Sequence, residues 1–304
     1  MAPNDRVIWL DIAKGITIIL MVIGHTSIPQ IVSGWIWAFH MPLFFFASGV
    51  CTKFEKDNLW TFACKKFRGI GRPFLIYSAI VVIISWLLQI PLLFSLKGGW
   101  GGYALWFVPV LYVALVLGKV YFCLNKGIYR YVYIVLLLST GWVLSYKNVQ
   151  LPWNMSVAPY ATTLLVMAYS NRDEILHCAW KKWWIVLLSF ILLALVPHFW
   201  RLDMCYNQIL PLIPITLGAI AGSLLVAWLS IGLTRYGRCI ATWMAGVGQE
   251  TFIIIAFSQL TIMVINQNAP MNPIFKYILL VIVLLAIKYL KDWILCAYSK
   301  MLER

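Results

Sequence analysis

Apolar residues gather into ten long runs, at about 7–24, 32–51, 74–94, 103–124, 129–146, 157–170, 183–200, 209–232, 250–266 and 274–298, with most charges in the gaps between them. Runs near the roughly 20 residues that span a hydrocarbon core predict transmembrane helices. The sixth run is short for a span, so it either extends into Trp153-Asn154-Met155 or is tilted or broken. The pattern predicts an all-α, polytopic integral membrane protein of about ten transmembrane helices, forming a single membrane-embedded domain over residues 1–304. The first run carries Asp11 and Lys14 and lacks a small-residue cleavage site, so it reads as a retained helix and not as a signal peptide.

Composition agrees: 62% of residues are hydrophobic, 11% are charged and the mean hydropathy is +0.86. A net charge of +14 raises the question of nucleic acid, but such a partner needs a basic face on a soluble module, and here the basic residues sit in short gaps. Their placement sets topology instead. With an even number of helices both termini share a side, and if that side is cytoplasmic the outer segments hold Lys97, Lys147, Arg201 and Lys276. Most of the remaining Lys and Arg then face inward, which predicts a multi-pass protein of the inner or plasma membrane with both termini cytoplasmic. The seven cysteines include no C-x-x-C pair and are odd in number, so neither a metal site nor a disulfide framework is indicated.

Ionisable side chains inside apolar runs are costly and mark function by default. Asp11, Lys14 and His25 lie on the first run. At about 100° per residue the eleven steps from Lys14 to His25 return almost to the starting angle, and Asp11 lies roughly 60° away, so all three share one face. The lysine and histidine are then about 16 Å apart along the axis. The second run brings His40, followed by Pro42, whose missing N–H should bend or locally open the helix beside the imidazole. A plainer reading makes Asp11 and Lys14 a structural i,i+3 ion pair and the histidines interfacial.

Residues 52–72 form the largest inner loop and include Lys53, Lys56, Lys65, Lys66, Arg68 and Arg72. Such a cluster anchors a chain to anionic headgroups, or it docks a phosphorylated cosubstrate; Arg68 and Arg72, four apart, would face the same way on a helical turn. The run Gly98-Gly99-Trp100-Gly101-Gly102 lacks the lysine of a phosphate-binding loop and reads as an outer turn. Leu105-Trp106-Phe107, Leu151-Pro152-Trp153-Asn154 and Arg201-Leu202-Asp203 add aromatic and polar groups to the outer side, either as an interfacial belt or as a platform for a carbohydrate. No internal repeat of the kind found in many transporters is visible.

Several of these residues fall in a familiar order. Arg6, Asp11-Ile12-Ala13-Lys14-Gly15-Ile16, Gly24-His25, Phe39-His40-Met41-Pro42-Leu43-Phe44-Phe45, Ser48-Gly49, the basic run before the third helix and Leu105-Trp106-Phe107 together resemble acyltransferase family 3, integral membrane acyltransferases, particularly the subgroup called fucose 4-O-acetylase-like. The resemblance is specific over the first third and rests mainly on helix count afterwards. It implies acylation of hydroxyls on cell-surface or lipid-linked saccharides, with acetyl-CoA or another acyl-CoA as cosubstrate and no permanently bound cofactor. It also implies catalytic roles for His25 and His40, with Lys14 and the neighbouring Asp11 in the site. Arg68 and Arg72, beside Lys65 and Lys66, would meet the donor. Two departures matter. Lys14 stands where relatives often carry Arg, losing the guanidinium fork. Phe257-Ser258-Gln259 stands where relatives tend to carry a histidine; if that histidine binds the acceptor, the acceptor here would differ.

The leading expectation is therefore a membrane O-acyltransferase with His25 as general base, or as a nucleophile carrying the acyl group. Its partners are the bilayer, an acyl-CoA and a saccharide or glycolipid acceptor. Its main rival is a transporter or flippase for a polar glycan or lipid precursor, because intramembrane Asp, Lys and His equally mark transport pathways. A catalytically silent membrane subunit is the third reading.

Overall fold

The computed structural model describes residues 7–26, 28–90, 103–177, 182–268 and 273–302. The chain forms α1 (Ile8–Gly24), α2 (Gln30–Cys51), α3 (Leu59–Lys66), α4 (Arg72–Leu87), α5 (Phe107–Cys123), α6 (Ile128–Tyr146), α7 (Ala158–Ser170), α8 (Arg172–Leu176), α9 (Trp183–Phe199), α10 (Leu212–Tyr236), α11 (Arg238–Gln249), α12 (Thr251–Asn268) and α13 (Pro273–Leu302). Among the described residues the only β pairing is an isolated bridge between Asp203 and Gln208. The outer turn expected at 98–102, with Lys97, lies outside the described residues, as does Arg6.

Each apolar run contains a helix, though among the described residues fewer helices than runs have the length and apolarity of a full span. Five are long and apolar enough among the described residues: Gln30–Cys51, Leu59–Leu87, Ala104–Cys123, Ile128–Tyr146 and Leu212–Tyr236. A sixth arises if α11 and α12, bent by 78°, count as one broken span. The rest fall short in length or carry charge, α1 having 17 residues with Asp11 and Lys14 among them. The chain is a multi-pass membrane protein.

α1 lies inside the bundle, touching α2, α10, α11 and α12. Its crossing with α11 depends on two glycines: a Cβ on Gly15 would overlap the Met244 carbonyl, and one on Gly248 would overlap the Asp11 carbonyl. Backbone meets backbone there, which only glycine permits. Outward faces of α6, α9 and α13 remain apolar and exposed, as at Leu136, Phe190 and Ile282. In a protein of this composition those faces suit a lipid environment.

Two local expectations need correction. The stretch 52–72 is not a loop throughout: the Asn58 side chain accepts the Thr61 N–H at 2.8 Å, capping α3, and Phe62 is buried against Phe54 with ring centroids 5.5 Å apart. A π-helical turn, Phe67–Gly71, then joins α3 to α4 without a break. Capping and aromatic burial outweigh the charge density that looked loop-like. Second, α2 runs uninterrupted through Pro42. The sixth run is broken, one of the alternatives its short length left: a 3₁₀ turn, Pro152–Val157, precedes α7, with Trp153 and Asn154 left-handed at φ 52° and 57°.

Candidate active site

One cavity of about 380 Å³ gathers the chemistry at the C-terminal end of α1. Ile18, Met21 and His25 line it from α1, and Trp37, His40, Met41 and Phe44 line it from α2. Ile255, Gln259, Ile262 and Met263 close the opposite wall; on α12 these positions recur at helical spacing, so one face of that helix looks inward. Ala104 and Trp106 complete the wall, and Leu202, Asp203, Met204, Cys205 and Tyr206 cover it. A second cavity, of about 310 Å³ with Asn266, Lys276 and Tyr277 in its lining, also reaches His25.

His25 follows the last turn of α1 and is exposed to these spaces. Gly24 leaves room for the Trp37 indole, which would lie 3.3 Å from a Cβ there, and the His25 and Trp37 ring centroids are 6.4 Å apart. Thr26 donates to Ile23 O at 2.7 Å and lies 2.6 Å from the Tyr277 hydroxyl, tying this helix end to α13. His40 is buried, with Nδ1 3.0 Å from Ile36 O. A carbonyl only accepts, so Nδ1 carries the hydrogen and Nε2 of the neutral ring holds a free lone pair.

The cover is held in place by the α6–α7 connection. Asn154 donates to Cys205 O at 2.5 Å, Gln150 to Tyr206 O at 2.7 Å and Ser145 to Asn207 O at 2.6 Å. Within it, Asp203 Oδ1 accepts the N–H groups of Cys205 and Tyr206 at 3.1 and 3.3 Å. Burial raises the Asp203 carboxyl above the ordinary carboxylate range, against the opposing pull of those two bonds and of Arg201. The Arg201 guanidinium itself lies over the Trp37 ring, 4.1 Å from its centroid.

At the other end of α1, Lys14 and the buried Asp11 form an ion pair at 2.6 Å. Asp11, Lys14, Lys66 and Arg172 all act electrostatically on the Cys51 thiol, so α1, α2, the end of α3 and α8 converge there. Arg172 Nε is buried with no hydrogen-bond partner among the described residues. The expected donor cluster is divided: Lys65 pairs with Asp57 at 2.7 Å, Lys66 reaches Thr52 Oγ1 at 3.4 Å, and Arg68 and Arg72 are exposed around the π-helical turn.

A family model described as an acyltransferase domain matches residues 7–293, nearly the whole chain. The chain belongs to acyltransferase family 3. No curated protein and no solved structure matches it. The family makes it a membrane acyltransferase, and the family match covers far more of the chain than the first third, where the resemblance is specific.

In this acyltransferase the two histidines meet at one cavity, whereas Lys14 and Asp11 stand apart at the far end of the same helix. Sequence reasoning missed Arg172, which follows the sixth run and resembles any topology-setting charge, and it missed Trp37, three positions before His40 on one face of α2. It also missed buried Lys119, whose ammonium is bound to the Phe54 carbonyl, a bond that locks the entry to α3 onto α5.

Proposed function

We propose that this acyltransferase moves an acetyl group, or another acyl group, from cytosolic acyl-CoA to a hydroxyl of a cell-surface or lipid-linked saccharide. The observation that carries this reading is the separation of two kinds of site along α1: basic groups around Lys14, Lys66 and Arg172 at one end, and a covered cavity with two imidazoles at the other. Phosphates suit the first and a polar organic acceptor suits the second. The two ends are about 16 Å apart by helical rise, a gap for the pantetheine arm to bridge. The resemblance of the first third to the fucose 4-O-acetylase-like subgroup supports a saccharide acceptor. About ten membrane segments with both termini cytoplasmic would set the basic end on the cytosolic side.

In this mechanism the acceptor oxygen attacks the thioester carbonyl as His25 takes its proton, the C–S bond breaks, and the proton passes to the thiolate, leaving ester and free CoA. His40, with its Nε2 lone pair, accepts an N–H from His25 or the acceptor O–H and so orients one of them. A cavity between helices keeps water from the acyl group. The rival transport reading is tested by the same assay, since transport needs no acyl-CoA.

Purified protein given acetyl-CoA and methyl glycosides of neutral hexoses is expected to release free thiol and form an ester. Replacing Arg68 and Arg72 together by Ala should raise the donor KM by about a hundredfold or more while the acceptor KM stays put, as for two lost charge-assisted phosphate contacts worth roughly 1.5–3 kcal/mol each. An unchanged donor KM would return the pair to membrane anchoring, and no ester with any hydroxyl compound would overturn the proposed function.

A further inference from the structure

Three of the polar groups that line the cavity carry lone pairs without a donor among the described residues, beside the N–H and O–H groups of Trp37, Trp106 and Tyr206. Gln259 Oε1 is buried and has no partner among the described residues. It is the sole polar side chain on a wall otherwise made of Ile255, Ile262 and Met263. Asp203 spends Oδ1 on two backbone N–H groups, and no bond to Oδ2 occurs among the described residues. His40 Nε2 is a third lone pair, because Nδ1 is committed to Ile36 O. Among the described residues no Lys or Arg lines the cavity. Arg201, on the same cover, is engaged with the Trp37 ring.

A buried amide oxygen without a partner is costly, so a ligand that donates to it is favoured in proportion. The same lining penalises an anion, which would sit beside the Asp203 carboxylate, while the nearby Arg201 cation is already shared between that carboxylate and the Trp37 ring. Trp37, Trp106 and Met41 offer apolar surface to the C–H faces of a ring.

We infer that the cavity selects an uncharged polyhydroxyl ring, and that Gln259 and Asp203 accept hydrogen bonds from the hydroxyls flanking the one presented to the histidines. This deepens the proposed acyltransferase reading and rests on it only for the identity of the reacting hydroxyl. Gln259 and Asp203 are specificity residues: they hold the ring and take no proton in the reaction. The inference excludes uronic acids and phosphorylated sugars from the cavity itself, whatever charge the acceptor carries elsewhere.

Two measurements separate this inference from the reaction. In the first, thermal stability of the purified full-length protein is followed with methyl hexopyranosides and with the matching methyl hexuronosides, without any acyl-CoA. The neutral glycosides should stabilise the wild type and the uronosides should not, and Gln259→Leu should lose the stabilisation. Asp203→Asn, which keeps the oxygen that caps the turn but removes the charge, should admit uronosides. In the second, acetyl transfer by Gln259→Leu should show an acceptor KM raised by about tenfold or more with the donor KM unmoved, the scale of one lost buried hydrogen bond. Equal stabilisation by uronosides, no stabilisation by any glycoside, or unchanged glycoside response in both variants would overturn the inference. Glycoside binding that depends on Gln259 without acetyl transfer would overturn the acyltransferase reading alone, while transfer indifferent to Gln259 would overturn this inference alone.

Discussion

His25→Ala is expected to lower kcat by roughly 10²–10⁴-fold while acyl-CoA still binds, the range for a lost general base. Acyl transfer to a hydroxyl needs proton removal as the carbon–oxygen bond forms, and a neutral imidazole suits that task near pH 7. His25 is exposed to two cavities, and the Thr26 hydroxyl, bonded to Ile23 O and close to the Tyr277 hydroxyl, holds the helix end beside it. His40 is the control. It is buried and anchored through Nδ1, so His40→Gln should raise the acceptor KM as well as lower kcat, because orientation fails along with chemistry. Single-turnover kinetics with labelled acetyl-CoA and no acceptor also separate the two forms of the mechanism: label trapped on His25 requires the covalent route, and none is expected if His25 acts only as a base. Near-normal turnover by a folded His25→Ala protein would remove the base from this site and bring the transport reading forward.

Gly248→Ala is expected to be the most damaging single methyl in the chain. The added Cβ would overlap the Asp11 carbonyl and lie 3.0 Å from Gly15 N, and both neighbours are backbone that cannot rotate away. α1 and α11 must then move apart, at a cost on the order of 1–3 kcal/mol or more for overpacking. At roughly 2–4 °C per kcal/mol this is a fall in Tm of several degrees. The displaced residues include the turn that holds Asp11 and Lys14, so activity should fall too. Gly246→Ala, two residues earlier on α11, meets no atom within 4 Å and should be neutral or slightly stabilising, since Ala is about 1 kcal/mol better than Gly inside a helix. Equal effects of the two substitutions on Tm would show that the α1–α11 crossing does not control stability.

Much of the helical layout was legible because apolar runs of this length have few alternatives to a helix. The shared face of Asp11, Lys14 and His25 followed from helical period, and His25 and His40 do line one cavity. Local signals that break the simple pattern were harder to see. Residues 59–71 looked like a basic loop because their charges were counted while the cap at Asn58 and the burial of Phe62 were not. α11 was read as a gap before the ninth run, although Gly246-Val247-Gly248 signals a close backbone approach at one of its two glycines. The cover over the cavity depends on bonds from Ser145, Gln150 and Asn154, some fifty to sixty residues away in sequence, and no periodicity reveals such pairings. Gln259 was visible as a departure from the family pattern, but that its amide oxygen is buried without a partner is a fact of packing.

The central claim is that donor and acceptor meet inside the membrane from opposite ends of α1. It is tested most directly in proteoliposomes sorted for one orientation, with labelled acetyl-CoA outside and a membrane-impermeant neutral glycoside sealed in the lumen. With the basic end of the protein facing outward, label is expected to appear as an ester on the lumenal glycoside, and to be absent with His25→Ala or with the opposite orientation. Glycoside movement without acetyl-CoA, or ester formed only on acceptor supplied to the donor side, would contradict the account.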